Sequence, residues 1–207
     1  MKIFHIIRNT VSLSLFKEII QECIHSGLGD TVYISSGFFQ EPTRGNFSAS
    51  KERDSKGRSF DNNTNHLTLH LRGVYNAAWK GSFQSFVNVL QGTGCYQIWV
   101  NKMRYNPGMS IPTVNKNHAK VFIYEKKGEP LLEILGSSNL TSHAYGTNFP
   151  YNTEADLVIC NNKKLENAII KMFQNSEIQH GVIILNYDNI NNSPLDKEMK
   201  WIRDNLF

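Results

Sequence analysis

The chain has 207 residues, 40% of them hydrophobic and 19% charged, and a net charge of +4. These values exclude an intrinsically disordered chain and are those of one globular domain with a substantial core. The small excess of basic residues slightly favours binding of an anionic partner but is not evidence that such a partner exists.

Export and membrane signals are not apparent in the sequence. The first sixteen residues, MKIFHIIRNTVSLSLF, are apolar but interrupted by polar residues, and no small-residue cleavage site follows. No apolar segment approaches the roughly 20 residues that a membrane-spanning helix needs. Cys23, Cys95 and Cys160 are far apart in apolar segments, which is typical of buried free thiols in a reducing compartment. We therefore expect a soluble, cytoplasmic protein that does not bind membranes.

The N-terminal half is predicted to alternate strands with helices. Apolar and β-branched runs predict strands, and apolar residues at helical spacing predict helices. Residues 40–65 are polar and predict a long loop, which is typical of a functional or a disordered segment. The predicted elements are a strand at 2–7, a helix at 13–23, strands at 31–39 and 67–73, a helix at 77–90 and a strand at 95–101.

A hairpin opens the C-terminal half. HAKVFIYE and LLEILG predict its two strands, with a turn from Lys126 to Pro130. The alternation of strands and helices predicts an α/β fold in which helices sandwich a mixed sheet. We expect residues 1–175 to form the main domain and residues 176–207 a strand and helix packed on it. The remaining predicted elements are a strand at 153–160, a helix at 163–173, a strand at 181–187 and an amphipathic helix at 194–207.

A histidine and a lysine stand two residues apart at the start of this hairpin. Because side chains two apart in a strand point to the same face, His118 and Lys120 emerge together and form a site for an anion. The second strand ends in Gly136-Ser137-Ser138-Asn139, where glycine lets the backbone come close and serine and asparagine supply hydrogen-bond donors. Antiparallel pairing places this turn beside His118 and Lys120.

The pattern HxK followed by GSxN resembles the signature of the phospholipase D superfamily, HxKx4D with GSxN downstream. The signature is present once, and Glu125 stands at its aspartate position, which looks more structural than chemical in that family. NTEAD at 152–156 resembles the downstream glutamate segment of the nuclease branch. With ISSGFF at 34–39, the chain is similar over residues 3–173 to metal-independent restriction endonucleases of the BfiI and NgoFVII kind.

The resemblance implies a hydrolase that cleaves DNA through a phosphohistidine intermediate, without a metal or another cofactor. His118 would be the nucleophile, and Lys120 and Asn139 would hold the nonbridging oxygens of the phosphate. Glu154 would orient His118 and stabilise its charge. The catalytic residues that the resemblance implies are His118, Lys120, Ser138, Asn139 and Glu154, with Ser137 as a substrate contact.

The same chemistry needs a second histidine as general acid, which family members with two signatures supply from their other copy. With one signature in each chain, we expect a symmetric homodimer whose subunits share one site on the two-fold axis. Such a site cuts one DNA strand at a time. Sequence specificity would come from the long loops or from a helicase or sequence-recognition subunit, or would be absent.

Basic residues in two loops are candidate DNA contacts. In the 40–65 loop they form either a clamp on DNA or a solvated segment of mixed charge. In the loop before His118 they either position a phosphate or are ordinary surface charges. These residues are Arg44, Arg53 and Arg58 in the first loop and Lys102, Arg104 and Lys116 in the second.

Two other functions fit part of the pattern. A phospholipase D-like lipid phosphodiesterase would use the same chemistry, but such enzymes commonly carry two signatures and an apolar surface or anchor for lipid. A non-catalytic DNA-binding subunit of a defence complex would have no need of intact His118, Lys120 and Asn139. We therefore favour an endonuclease of a restriction or phage-defence system.

Overall fold

In the computed structural model of the protein, the described residues are 1–8, 14–36, 53–59, 66–73, 120–138, 140, 144, 154–174 and 182–187; residues 71–73 and 182–187 are described by their backbone alone. Over these residues the chain forms strands and helices that alternate along part of its length. The strands are β1 (Lys2–Arg8), β2 (Thr31–Ser36), β3 (Thr68–Gly73), β4 (Lys120–Lys126), β5 (Glu129–Gly136), β6 (Glu154–Cys160) and β7 (Val182–Tyr187), and the helices are α1 (Leu15–His25) and α2 (Lys163–Phe173).

The strands join in one mixed sheet with the order β3-β2-β4-β5-β6-β1-β7. The pair of β2 and β3 is parallel, and each other neighbouring pair is antiparallel. The predicted strand near residue 185 is confirmed as β7, which pairs with β1 along its length and belongs to the same sheet. The expectation of a mixed sheet in an α/β fold is thereby confirmed.

The β4–β5 hairpin turns more tightly than the predicted segment from Lys126 to Pro130. Lys127 and Gly128 both have positive φ values, 53° and 83°, as a two-residue type I′ turn requires. The backbone N–H of Lys127 donates to the carboxylate of Asp30, at 3.2 and 3.1 Å from its two oxygens. Lys127 and Gly128 therefore have the backbone conformation that this turn requires, and Asp30, which precedes β2, holds the turn by a hydrogen bond.

Both helices pack on one face of the sheet. Strand side chains two residues apart share a face, and the even-numbered ones of β1, β2, β4, β5 and β6 point into the core that α1 and α2 cover. Phe4 meets Phe173 of α2 edge to face, with ring centroids 5.3 Å apart. A second helical layer on the other face remains a prediction, because the predicted helices at 77–90 and 194–207 lie outside the described residues.

Helix α1 begins and ends two residues later than predicted, and its caps give the reason. The hydroxyl of Ser14 accepts from the N–H of Lys17 at 3.3 Å, and so caps the N-terminus. The helix ends at His25, after which the hydroxyl of Ser26 donates to the carbonyl of Cys23 at 2.8 Å. Helix α2 has the predicted bounds, with Asn162 as its N-cap.

The long loop at 40–65 contains an ordered turn. Residues 53–59, which we call the strap, close on themselves through a bridge between Arg53 and Ser59. Cys23 and Cys160 are buried and free, in agreement with the sequence prediction, and Cys95 lies outside the described residues. In the described ranges, no helix is both long enough and apolar enough to cross a membrane.

Candidate functional site

The two segments that carry the predicted motif meet at one end of the sheet. Because β4 runs antiparallel to β5, Lys120 at the start of β4 lies opposite Gly136 at the end of β5. Gly136 in turn lies opposite Asp156 near the start of β6, and Glu154 lies opposite Arg8 at the end of β1. Four strand ends thus bring polar side chains together that are up to 148 positions apart in the sequence.

Two adjacent serines of the turn after β5 are hydrogen-bonded to two carboxylates of β6. The hydroxyl of Ser137 donates to Oε2 of Glu154 and accepts from the N–H of Ala155 at 2.9 Å. The hydroxyl of Ser138 donates to Oδ2 of Asp156 at 2.5 Å, and the N–H of Ser138 donates to Oδ1 of the same group at 3.2 Å. Each serine therefore has its own carboxylate.

Burial separates these two pairs. Ser138 is 2% exposed and Asp156 5%, so this pair is inside the protein. Glu154 is also buried, but Ser137 lies at the surface. The pair of Ser137 and Glu154 therefore links the surface to the interior, and the pair of Ser138 and Asp156 is closed to solvent.

Gly136 allows the carboxylate of Asp156 to lie over the backbone of β5. A Cβ atom at position 136 would be 2.1 Å from Oδ1 of Asp156 and 2.5 Å from the carbonyl oxygen of Ala155. No side chain fits at such distances. The glycine of the motif is thus required for close approach of the two strands and of the Asp156 carboxylate.

Lys120 is partly buried beside Glu154. Burial lowers the pKa of Lys120, and the negative charge of Glu154 offsets part of that effect. A partly desolvated ammonium group interacts more strongly with an added anion than one in water does, although the carboxylate of Glu154 opposes part of that attraction. The described part of the site therefore presents a cation suited to a phosphate.

Further buried polar groups donate or accept hydrogen bonds at Leu140 and Ala144, which follow the turn. Arg8 is 4% exposed, and its Nη1 donates to the carbonyl of Ala144 at 2.9 Å. The hydroxyl of Ser14, the N-cap of α1, donates to the same carbonyl at 2.8 Å. At the end of β2, the hydroxyl of Ser36 accepts from the N–H of Leu140 at 3.0 Å.

Opposing influences act on the protonation of Asp156. Burial raises the pKa of Asp156, against the hydrogen bonds from Ser138 and Ser137 and the charge of His5, which lower it. A carboxylate in this condition is costly to keep ionised, and such groups are concentrated at functional sites. Among the described residues, no group of three or more His, Cys, Asp and Glu is arranged to hold a metal ion.

The structure brings together four of the residues singled out in the sequence. Lys120, Ser137, Ser138 and Glu154 lie at the same end of the sheet. The other predicted catalytic residues and several of the predicted DNA contacts lie outside the described residues: His118, Asn139, Arg44, Lys102, Arg104 and Lys116.

Arg53 and Arg58 lie in the strap, which is fastened to α1. The guanidinium of Arg58 donates to Asp54 at 2.6 Å and to Glu22 at 2.9 Å. Arg53 donates to the carbonyl of Gly57 at 2.7 Å within the strap. Arg58 is therefore engaged by two carboxylates of the protein itself, and its contact with DNA remains a prediction.

Glu125 stands where the superfamily signature has aspartate, and it lies at the other end of β4. Five residues of strand separate it from Lys120, or roughly 17 Å. Its backbone carbonyl accepts from the N–H of Asp30 at 2.9 Å, next to the hairpin turn. The departure from the signature is therefore distant from the site.

Sequence reasoning missed three polar residues of this region: Arg8, Ser36 and Asp156. Asp156 has a detectable signal, because it stands two positions after Glu154 in a strand and so shares its face, as Lys120 does with His118. Arg8 ends an apolar strand. Ser36 carries no signal, because its role depends on a contact across 104 positions.

No family model and no curated protein sequence matches this chain. Among solved structures, it is similar to the crystal structure of polyphosphate kinase from Porphyromonas gingivalis, with a TM-score of 0.43 and 12% sequence identity. The alignment covers 84% of this chain and 26% of that one. The chain thus spans about a quarter of the length of that protein, and at this TM-score the likeness carries no argument about function.

Proposed function

We propose that the protein is a metal-independent endonuclease that cleaves DNA through a phosphohistidine intermediate, in a restriction or phage-defence system. One observation carries this proposal. Lys120 from the HxK segment and Ser137 and Glu154 from two later segments lie at one end of the sheet, with Glu154 close enough to act on the pKa of Lys120.

The reaction proceeds in two displacements. A ring nitrogen of His118 attacks the phosphorus atom, a phosphorus–nitrogen bond forms, and the bond to the leaving sugar oxygen breaks as that oxygen takes a proton from a second histidine. Water then attacks the phosphorus atom and gives a proton to the second histidine, the phosphorus–nitrogen bond breaks, and the DNA end leaves with its phosphate as a monoester. Each step requires positive or donor groups around the phosphate.

Lys120 has the main electrostatic role in this proposal. Its partly desolvated ammonium would hold a nonbridging oxygen, and Asn139 would donate a hydrogen bond to another. Glu154, held by Ser137, would orient His118 and stabilise the positive charge that its ring gains in the reaction.

The two serines are assigned different functions here from those that the sequence suggested. Ser138 is buried with its hydroxyl on Asp156, so we assign it a structural function. Ser137 is at the surface and binds Glu154, so we assign it to the catalytic group.

A second copy of the chain supplies the second histidine in this proposal. The signature occurs once, and two displacements need both a nucleophile and an acid. Two copies related by a two-fold axis at the Lys120 end of the sheet would place two His118 side chains in one site. The loop cations Arg44, Arg53, Lys102, Arg104 and Lys116 would then contact DNA beyond it.

The first test is cleavage of supercoiled plasmid in excess EDTA. Wild-type protein should convert the plasmid to the nicked form, and His118→Ala should abolish that activity. Glu125→Gln is the matched control, because Glu125 belongs to the same signature but lies roughly 17 Å along β4 from Lys120. It should cleave as wild type does.

The outcomes separate the proposal from its alternatives. Cleavage that EDTA abolishes, or that survives in His118→Ala, would contradict the phosphohistidine mechanism. An inactive wild type that binds DNA would favour a non-catalytic subunit, and hydrolysis of phosphatidylcholine vesicles without DNA cleavage would favour a lipid phosphodiesterase. Equilibrium sedimentation of the active protein should give the mass of two chains.

A further inference from the structure

The buried aspartate of the site is not needed to fill the core. On the same face of β6, Val158 and Cys160 are buried apolar residues that pack against the helices. Asp156 precedes them in that row and is 5% exposed. Burial of a carboxylate costs free energy of folding, so its presence requires another explanation.

Both oxygens of Asp156 are directed at one residue. Oδ2 accepts from the hydroxyl of Ser138 at 2.5 Å, and Oδ1 accepts from its backbone N–H at 3.2 Å. Two bonds from one carboxylate to the backbone and side chain of one residue restrain both its backbone and its χ1 angle. Gly136 makes room for this arrangement, because a Cβ atom there would collide with Oδ1.

Ser138 lies in the middle of a turn that is held on both sides. Before it, the N–H of Ser137 donates to the carbonyl of Ala155 at 3.0 Å. After it, the N–H of Leu140 donates to Ser36 at 3.0 Å. Ser137, Ser138 and Leu140 are therefore each fixed by a contact to another strand.

We infer that Asp156 is a positioning residue of the site, which acts through Ser138 to hold the turn that carries Ser137. This inference rests on the proposed function for its effect on catalysis. Asp156 itself does not contact the substrate in this account. Its carboxylate is buried together with Ser138, the residue whose hydroxyl and N–H it accepts.

The test is a double-mutant cycle on the phosphodiesterase activity. Asp156→Ala removes both hydrogen bonds and should lower kcat by about 10- to 100-fold, with KM changed less than threefold. Asp156→Asn keeps an acceptor for the Ser138 N–H and should recover part of the loss. If Asp156 acts through Ser138, then Ser138→Ala combined with Asp156→Ala should lose no more activity than Asp156→Ala alone.

Asp30→Asn is the matched control. Asp30 also accepts from a backbone N–H and a hydroxyl, those of Lys127 and Thr31, but at the opposite end of the sheet. It should leave kcat unchanged. A kcat equal to that of wild type in Asp156→Ala would overturn the inference, and so would losses that multiply in the double variant or appear in KM alone.

Amide hydrogen exchange gives a readout that does not need activity. The Ser138 N–H should exchange faster in Asp156→Ala than in wild type, while the Lys127 N–H at the far hairpin turn should not change. If wild type cleaves no phosphodiester but this difference appears, the proposed function fails and the hold on the turn stands. If wild type is active and neither exchange nor kcat responds, the positioning function alone is refuted.

Discussion

Two clusters of charged residues in this protein bind their carboxylates in different ways. In the strap cluster, formed by residues 53–59 and α1, cations meet carboxylates directly: Lys56 and Arg58 lie 2.9 Å from Glu22. At the Lys120 end of the sheet, the carboxylates of Glu154 and Asp156 accept hydrogen bonds from serine hydroxyls. Cations therefore neutralise the charge of Glu22, whereas serine hydroxyls hold Glu154 and Asp156 without neutralising them.

The pKa values of Glu22 in the strap cluster and of Asp156 in the site move in opposite directions. Burial by itself would raise the pKa of Glu22, but the bonds from Lys56 and Arg58 outweigh it, and the pKa lies below its usual value of 4.5. For Asp156 burial outweighs the bonds from Ser138, and the pKa is raised. The fold therefore favours the charged form of Glu22, whereas it disfavours the charged form of Asp156, as functional sites commonly do.

The largest expected effect is on activity, from Lys120→Met. Loss of the ammonium should lower kcat by about 100- to 1,000-fold, because an electrostatic contact to the reacting phosphate is removed. Stability should not fall. Burial lowers the pKa of Lys120, so the ammonium is disfavoured in the folded state, and wild type should gain stability as the pH rises through that pKa toward the usual value of 10.5.

The measurements for Lys120→Met are kcat on plasmid DNA and the thermal midpoint, Tm. Lys56→Met in the strap is the control, since its ammonium also lies near a carboxylate, but that carboxylate belongs to Glu22 of α1 and not to the proposed site. It should keep full activity. Equal losses of activity in both variants would mean that the two clusters do not differ in function.

Gly136→Ala should give the largest loss of stability, about 2 kcal/mol. Its Cβ would meet Oδ1 of Asp156 and the carbonyl of Ala155, so either the strands separate or the carboxylate leaves Ser138. Urea unfolding measures the cost. Gly27→Ala is the comparison, because it has a φ of 65° but nothing within 4 Å of a new Cβ, and conformation alone should cost about 1 kcal/mol there. A smaller loss for Gly136→Ala than for Gly27→Ala would contradict the close packing of β5 and β6.

Glu22→Gln should have the smallest effect, a loss of about 1 kcal/mol at neutral pH with activity unchanged. The folded pKa of Glu22 is depressed, so its contribution is present above about pH 4.5 and is lost as the pH falls through the folded value. The difference in unfolding free energy between wild type and variant should therefore shrink on acidification. Urea unfolding between pH 7 and pH 3 tests this, and a difference that grows at low pH would refute the assigned sign.

Much of the fold was predictable, because its signals are local. The β4–β5 hairpin has alternating apolar residues and a Lys-Gly turn, and helix 163–173 has an asparagine cap and helical spacing, so both agree closely with the prediction. The ends of α1 were misplaced by two residues because the capping function of Ser14 was not recognised. The strap was predicted only as loop, because Glu18, Glu22 and Asp54 hold it through contacts that no local pattern reports.

The candidate site, like the fold, was predictable only in part. That Lys120 lies beside the Gly-Ser-Ser turn follows from antiparallel pairing of two neighbouring strands, which the sequence determines by itself. Which serine meets which carboxylate does not follow from it. That choice depends on the register between β5 and β6, where a shift by one residue would turn Asp156 to the other face of the sheet.

By itself, then, the sequence determined the strands, the hairpin and the position of a cationic motif, HxK with GSxN, because periodicity and turn chemistry act over a few residues. Tertiary structure alone decided that Asp156, Arg8 and Ser36 surround that motif and that Arg58 is bound to Glu22 and Asp54. Those contacts join strands, helices and loops that are distant in the chain, and they form only when the packing of the sheet against α1 and α2 sets the register.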